Sequence, residues 1–413
     1  MKLFVGLDVS SFDIKVCFLN GEGNELKSFT VTNDLPGATK LRDEILNVVQ
    51  DESVSEFKIG LESTSVYSFH PSMFLHNDES IRALGGRVLV MNPKQIANFK
   101  KSYSDMDKTD EIDAFVIADY LRFGRLPMSI VKEEQYVALQ QLTRARYNIV
   151  RQITQEKQRF LQYLSYKCNT FTEEVESSVF GKAMMDLFLE NYSLDELSNM
   201  PLEDLADYLR TKGKNRFPDP EYVAESIQKA VRSSYRLDKV VEDSIDTILS
   251  TSITLIRTFE KQIKEIDKSI KRIMKGLPQT LQTVPGIGPV FTAGIIAEIG
   301  QIERFEDETK IAKYAGLYWR KHQSGRFTAD DTSLSRNGNQ YLRYYLVEAA
   351  NSVRRQIPEY SEYYAKKYQE VPKHQHKRAL VLTARKFVRL VDALLRKNQI
   401  YTPERSVKRS VNT

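Results

Sequence analysis

The sequence predicts a chain that begins with an α/β domain, continues through long helices and ends in a mostly α-helical domain. Three patterns lead to this prediction. Short β-rich runs alternate with helical stretches over residues 1–130, and long amphipathic stretches fill residues 131–276. Helical stretches interrupted by Gly and Pro turns fill residues 277–400, and a basic tail follows at 401–413.

Four β-rich runs and two helix-like stretches define the first domain. LFVGLDVS and KVCFLN flank a polar turn and predict a hairpin, while EFKIGLES and RVLVMNP predict two further strands. Between the hairpin and the third run, LPGATKLRDEILNVVQ has apolar residues at helical spacing. KTDEIDAFVIADYLRFG predicts a second helix, which ends at Gly124 and Pro127. Strands that alternate with helices imply a layered α/β domain.

Two long amphipathic stretches predict helices over 133–167 and 236–276. In the second, apolar residues recur in steps of three and four, the register of a coiled coil; they are Ile256, Phe259, Ile263, Ile266, Ile270 and Ile273. Such a seam must pack on another surface, so we expect these helices to mediate self-association into a dimer or a tetramer. An intrachain hairpin is the alternative.

Composition excludes several classes of protein. The two cysteines exclude a disulfide scaffold and a zinc site with four cysteine ligands, and the five histidines argue against a His-rich metal centre. The sequence contains no run of 18 apolar residues, so it predicts no membrane span. The first 20 residues do not have the pattern of a signal peptide, so we expect a cytoplasmic protein. Residues 275–413 hold 24 Lys and Arg against 13 Asp and Glu, whereas residues 1–130 hold 14 against 19. The basic C-terminal third favours phosphate binding, although unevenly distributed surface lysines would give the same count.

Two segments of this basic region are candidates for contact with nucleic acid. VPGIGPVFTAGIIAEIG (284–300) has the pattern of a helix-hairpin-helix, in which amide groups at a helix N-terminus hold a phosphate oxygen. A Gly/Pro turn between two core helices is the alternative. Residues 376–398 predict an amphipathic helix with Leu380, Ala384, Phe387, Val391 and Leu394 inward and basic side chains outward.

Four carboxylates of the first domain form a candidate metal site. Asp8 ends the first apolar run, Glu62 ends the strand FKIGLE, and Asp110 and Asp113 lie three residues apart on one helix face. Mg²⁺ prefers such hard oxygen ligands, and a metal site of this kind supports phosphodiester chemistry. Each acid taken alone is better explained as a surface residue, and the signal lies in the set of four in this order.

A serine in a polar, basic loop is a candidate nucleophile. Ser324 lies in KHQSGRFTADDTSLSRNGNQYLRYYLVEAA (321–350), and the neighbouring cations could offset the charge of a phosphate; they are Arg320, Lys321, Arg326 and Arg336. Ser335 is the alternative nucleophile. A Ser-Gly pair alone is usually a turn.

The chain resembles transposases of the "one-ten" family of insertion sequences, the bridge-RNA-guided DEDD/serine recombinases. The resemblance rests on LDVS, GLES, KTDEIDAFVIADYL, VPGIGPVFTAGIIAEIG, KYAGL, HQSG and LSRNGNQYLR, which occur in this order. It implies a RuvC-like, RNase H-like N-terminal domain whose DEDD residues are Asp8, Glu62, Asp110 and Asp113, with Mg²⁺ as cofactor. It also implies a C-terminal transposase domain in which Ser324 forms a phosphoserine link to DNA. The implied partners are target and donor DNA, a structured guide RNA and further copies of the chain.

The sequence departs from the family pattern at several positions, and two other functions stay open. Thr64-Ser65 stands where a Thr-Gly pair is usual, and Asp330-Asp331 interrupts the basic run after Ser324. A RuvC-like structure-specific nuclease would use water and need no serine. A non-catalytic nucleic-acid scaffold would only bind, but the ordered carboxylates argue against it.

Overall fold

The computed structural model describes residues 1–63, 66–103, 110–124, 133–319, 323–324, 327–328, 334–335 and 337–403. Within these ranges, the side chains at 110–111, 323–324 and 327–328 are not described. The chain divides into two compact units. The first comprises residues 1–134 and 300–310, and the second comprises 135–299 and 311–413.

A five-stranded mixed sheet organises the first unit. Its strands are β1 (Lys2–Val9), β2 (Asp13–Asn20), β3 (Glu25–Thr32), β4 (Glu56–Glu62) and β5 (Arg87–Met91). Their order in the sheet is 3-2-1-4-5. The first three strands are antiparallel neighbours, while β4 runs parallel to β1 and β5 runs parallel to β4. The helices are α1 (Leu35–Asp51), α2 (Phe69–Asn77), α3 (Glu79–Ala83), α4 (Pro93–Lys100) and α5 (Asp110–Phe123).

This unit confirms the predicted α/β domain, its hairpin, its two further strands and both helices. Strand β3 is absent from the prediction, because most of its residues are exposed at the sheet edge and no apolar run marks it. Alternation along β1 sends Leu3, Val5 and Leu7 into a core shared with α1. Phe4, on the opposite face, packs in a second core with α5. The sheet is thus covered on both faces.

Helices dominate the second unit. They are α6 (Glu134–Lys167), α7 (Phe171–Glu174), α8 (Lys182–Leu189), α9 (Leu194–Asn199), α10 (Leu202–Lys212), α11 (Pro220–Ser233), α12 (Lys239–Met274), α13 (Pro289–Ile299), α14 (Glu308–Tyr314), α15 (Gln340–Gln356), α16 (Pro358–Gln369) and α17 (Gln375–Lys397). Four two-residue strands accompany them: β6 (Tyr318–Trp319), β7 (Gln323–Ser324), β8 (Phe327–Thr328) and β9 (Leu334–Ser335). A 3-10 turn spans Leu281–Thr283 in this unit, and another spans Ile302–Arg304 in the 300–310 segment of the first unit.

The two long predicted helices are α6 and α12, and they run antiparallel within one chain. Three contacts show this direction, because residues further along α6 contact residues earlier on α12. They are Arg146 Nε to Asp267 Oδ1 at 2.7 Å, Ser252 Oγ to Glu156 Oε1 at 2.5 Å, and Lys167 to Asp246. Of the predicted seam, Ile256 and Ile270 are fully buried inside the chain, and the other four residues are half-buried. The seam is therefore used in part by intrachain packing. The coiled coil is not confirmed, and self-association stays a prediction.

The segment 284–300 follows the 3-10 turn Leu281–Thr283 and contains α13, whose residues from Thr292 to Ile299 are all buried. The helix-hairpin-helix is not confirmed, and most of the segment's apolar residues belong to the core. The amphipathic C-terminal helix is confirmed as α17, with all five predicted residues buried. Across the described part of the chain, we find no helix that combines the length and the apolar character needed to span a membrane.

Candidate active site

Asp8 and Glu62 lie at the carboxyl ends of two neighbouring parallel strands. Leu7 of β1 is registered opposite Leu61 of β4, and each carboxylate is the next residue along its strand. Because side chains alternate along a strand, Asp8 shares a face with Phe4, which packs towards α5. The ends of parallel strands at which the sheet order changes direction are a common place for ligand sites. The sheet alone therefore brings two of the four predicted residues together.

Two glycines allow α5 to lie directly on this sheet. A Cβ atom at Gly6 would stand 2.1 Å from the Ala114 carbonyl oxygen, and one at Gly60 would stand 2.6 Å from a Leu121 methyl carbon. A side chain at Gly6 would meet helix backbone and push α5 away, whereas one at Gly60 would meet the ends of the Leu121 and Met91 side chains, which would have to shift. Gly6 and Gly60 also face each other in the parallel register. The sequence-based prediction omits these glycines, although glycine inside a predicted strand signals close approach of another backbone.

Helix α5 carries Asp113 to the same region, where Lys100 contacts it. The Lys100 ammonium group forms an ion pair with Asp113 Oδ1, and Lys100 is the last residue of α4. The sequence-based prediction also omits Lys100, because one lysine near the end of a helix has no distinguishing pattern. Asp110 begins α5, one turn before Asp113, but its side chain lies outside the described part of the structure.

The charges of this region act on one another. Burial raises the pKa of Glu62 to about 7, and the negative charges of Asp8 and Asp113 contribute to the rise, while Lys100 opposes them. Glu62, Asp8 and Asp113 are all half-buried. The three carboxylates therefore share one electrostatic environment, in which adding negative charge is unfavourable and a cation is favoured.

Carboxylate oxygens are the ligands that Mg²⁺ prefers, so the chemistry of this group fits such an ion. Asp8, Glu62 and Asp113 are the described residues that would hold it. Among the side chains that the structure describes, no group of three or more Asp, Glu, His or Cys already has the geometry of a metal site. Asp119, also on α5, has another role: it is buried and bonded to Arg122 and Tyr103.

The predicted nucleophile lies in the second unit, in a segment of short paired strands. Ser324 of β7 pairs with Phe327 of β8, and Tyr318 of β6 pairs with Ser335 of β9. The side chain of Ser324 lies outside the described residues, as do residues 320–322, 325–326 and 336, which include the four predicted cations. Ser335 is 5% exposed, and its hydroxyl has no hydrogen-bond partner among the described atoms. Such burial makes Ser335 poorly accessible to a DNA phosphate.

Two transposase family models each match part of the chain. Residues 5–168 match a transposase family of the DEDD type found in IS110, and residues 278–365 match the transposase family IS116/IS110/IS902. A 44.8 kDa protein of insertion element IS116 from Streptomyces clavuligerus is 25% identical over 78% of this chain and 79% of its own length. The pilin gene-inverting protein of Moraxella lacunata is 21% identical over 83% of this chain and 80% of its own.

Among solved structures, Thermus thermophilus RuvC in complex with a Holliday junction substrate aligns with 30% of this chain and 96% of its own, at 12% identity and a TM-score of 0.22. This structural similarity is distant. The family matches and the relatives make the chain a DNA transposase or recombinase. The two regions matched by these models follow one another along the chain.

Proposed function

We propose that the protein cuts and rejoins DNA through a phosphoserine link to Ser324, with Mg²⁺ held by Asp8, Glu62, Asp110 and Asp113. A structured guide RNA selects the target and donor DNA, and the protein acts as a homo-oligomer. The proposal includes a RuvC-like, RNase H-like domain at 1–130, a helical middle at 131–276 with a coiled coil, and a serine transposase domain at 277–400 with a helix-hairpin-helix. The sheet order 3-2-1-4-5 supports the first of these assignments.

One observation carries the proposal: two carboxylates stand side by side at parallel strand ends, with a third on the helix packed above them. Asp8 and Asp113 both raise the pKa of Glu62, so like charges have been gathered at a cost. A cation removes that cost, and a bound Mg²⁺ supplies charge stabilisation for a phosphoryl group. A surface that only bound nucleic acid would instead carry basic residues at these positions.

The covalent step exchanges one phosphate ester for another. The Ser324 oxygen forms a bond to phosphorus, and the bond between phosphorus and one deoxyribose oxygen breaks. That oxygen takes a proton from solvent and leaves as a free deoxyribose hydroxyl. The serine proton passes to a carboxylate of the proposed metal site, because a serine hydroxyl is a weak nucleophile at neutral pH and needs a base. Reversal with a different deoxyribose hydroxyl joins the new strand and restores the serine. The energy of the ester bond is kept throughout.

The proposed partners follow from charge and from relatives. Lys377, Arg378 and Arg389 of α17 are exposed and provide a surface for phosphates, whereas Arg385 and Lys386 are half-buried. The name of the Moraxella relative refers to inversion of a gene, which is a rearrangement of DNA. The guide RNA follows from the family resemblance, on which this part of the proposal depends.

The experiment detects a protein–DNA adduct that survives denaturation. The unaltered protein, incubated with donor DNA, guide RNA and Mg²⁺, should form the adduct. Ser324→Ala should abolish it while DNA binding stays within about twofold, because only a hydroxyl is lost. Ser335→Ala is the matched control and should retain the adduct. Cleavage without any adduct would instead support the nuclease that uses water, and an adduct in Ser324→Ala would move the assignment to Ser335.

A further inference from the structure

A buried carboxylate in the second unit binds residues from two other parts of the chain. Glu298 of α13 is 0% exposed. Its Oε1 accepts from Arg144 Nε at 2.7 Å, and its Oε2 accepts from Arg144 Nη2 at 3.0 Å and Gln140 Nε2 at 3.0 Å, both on α6. Oε2 also accepts from Asn339 Nδ2 at 2.7 Å. The carboxylate thereby ties α6 and α13 to the residue that begins α15.

Asn339 is held on both sides of its carboxamide group. Its Oδ1 accepts from the backbone N–H groups of Tyr341 and Leu342, each at 3.0 Å, and so caps α15. Its Nδ2 donates to Glu298, and its backbone N–H donates to the Tyr314 carbonyl oxygen at 2.7 Å. With every one of these groups engaged, the position and direction of Asn339 are fixed by its neighbours.

Asn339 stands at the closed base of the segment that contains Ser324. A Cβ atom at Gly338 would lie 2.5 Å from the Tyr314 carbonyl oxygen and 2.6 Å from the Gly316 nitrogen. The backbone before the segment, at 314–316, therefore lies against the backbone after it, at Gly338. Arg343 Nη1 donates to the Ala315 carbonyl oxygen at 3.0 Å and joins the same base. Just beyond it, β6 pairs with β9. The described residues 317–319 and 334–335 therefore adjoin one narrow base, which is attached to Glu298.

We propose that Glu298, acting through Asn339, is a positioning residue for the serine nucleophile. The inference rests on the proposed role of Ser324 and deepens it. A buried ion pair adds little net stability compared with apolar packing, so the charge itself calls for another explanation. A charged acceptor makes shorter and more directional hydrogen bonds than a neutral one, which suits the fixing of a loop base. Misplacing a reacting group by about 1 Å costs on the order of 100-fold in rate.

Two substitutions separate positioning from stability, because each removes one hydrogen bond to Glu298 Oε2. Asn339→Ser also removes the bond from Asn339 Nδ2 to the Tyr314 hydroxyl at 3.2 Å, which belongs to the loop base. Asn339→Ser keeps an oxygen that can cap α15 but removes the amide donor at the loop base. Gln140→Ala removes the donor on α6, away from that base. We expect similar thermal midpoints for the two variants. At saturating DNA, Asn339→Ser should form the Ser324 adduct about 10- to 100-fold more slowly, and Gln140→Ala less than about threefold more slowly.

Trp319 offers a second readout that does not depend on activity. It is the only tryptophan of the chain and lies in β6, next to the loop base. In Asn339→Ser its fluorescence anisotropy should fall and its quenching by acrylamide should rise, whereas Gln140→Ala should leave both unchanged.

A double variant, Glu298→Gln with Asn339→Asp, exchanges the donor and the acceptor of the hydrogen bond between the two residues. It should recover at least part of the rate of adduct formation that is lost in Asn339→Asp alone.

Equal effects of Asn339→Ser and Gln140→Ala on adduct rate and on Trp319 fluorescence would overturn the inference, as would failure of the double variant to recover any rate. These outcomes leave the proposed function intact as long as the unaltered protein forms an adduct that Ser324→Ala abolishes. If the unaltered protein forms no such adduct, both proposals fall, even if the Trp319 changes occur.

Discussion

Gly6 and Gly60 face each other in the parallel register of β1 and β4, and helix α5 rests on both of them. Two residues further along each strand come Asp8 and Glu62. Because Gly6 and Gly60 have no side chains, α5 lies close to the sheet and brings Asp113 towards the two carboxylates. Packing and chemistry are coupled at this point of the fold.

Gly6→Ala should separate the helix from the carboxylates. The added methyl group would stand 2.1 Å from the Ala114 carbonyl oxygen, so α5 must move. We expect the free energy of unfolding to fall by about 1–3 kcal/mol, as in other overpacked cores. Metal-dependent DNA cleavage should fall by at least about 10-fold, because a displaced ligand weakens the metal site. Urea unfolding and a cleavage assay measure these effects.

Gly21→Ala is the control for this substitution, because its nearest atom outside the adjoining residues would be the Lys2 Cβ atom at 3.8 Å, an ordinary contact. It should change stability by less than about 0.5 kcal/mol, the range for surface substitutions. Full cleavage activity in Gly6→Ala would contradict the dependence of the site on helix position.

Glu62 should make the metal-free protein less stable as pH rises. Its pKa is raised to about 7 in the folded chain, from 4.5, so its contribution to stability is fully present below pH 4.5 and is lost as pH rises through 7. After allowance for solvent screening at this half-exposed position, the loss is about 1–2 kcal/mol. Unfolding measured in a chelator between pH 5 and 8 should show this loss in the unaltered protein and not in Glu62→Gln. Added Mg²⁺ should reverse it, and identical pH dependence in the two proteins would refute the prediction.

Three exposed cations of α17 should contribute to nucleic-acid binding. Changing Lys377, Arg378 and Arg389 to Gln leaves up to three phosphates without a cation, so the slope of log K against log salt on duplex DNA should become shallower by about 0.9 for each of these phosphates. Fluorescence anisotropy with labelled DNA over a range of salt concentrations measures the slope. The control changes Lys182, Lys229 and Lys239, which lie elsewhere in the same unit, and should leave it unchanged. Equal slopes for the two triple variants would mean that the basic face of α17 is simply solvated.

Two inactive variants should complement each other if the active site combines residues of different subunits. Ser324→Ala lacks the nucleophile and Asp8→Ala lacks a metal ligand, so each should be inactive alone. A mixed oligomer can contain one intact serine and one intact carboxylate group. If the subunits of an equal mixture combine at random, we expect roughly a quarter of the normal recombination activity. Recombination measured before and after mixing tests this. No recovery, with mixed oligomers demonstrated by differently tagged chains, would place both groups in one subunit.

Much of the local structure can be predicted from sequence because its signals are local. Periodicity alone predicts the apolar runs of β1 and β4 and the inward face of α17, from Leu380 to Leu394. It does not predict β3, because an exposed edge strand needs no apolar run. The seam of α12 predicts a surface for self-association, but Ile256 and Ile270 are buried against their own chain. Periodicity shows that a face must be covered and does not show what covers it.

The sequence by itself determined the secondary structure around Asp8, Glu62 and Asp113, the order of the carboxylates along the chain and the family to which its motifs point. Only the tertiary structure decided which of these residues meet. Asp8 and Glu62 are 54 positions apart and become neighbours through parallel pairing, while Lys100 and Glu298 gain their partners through helix packing. The physical reason is that periodicity reflects burial along one element, whereas a site depends on contacts between elements distant in sequence, which have no local pattern.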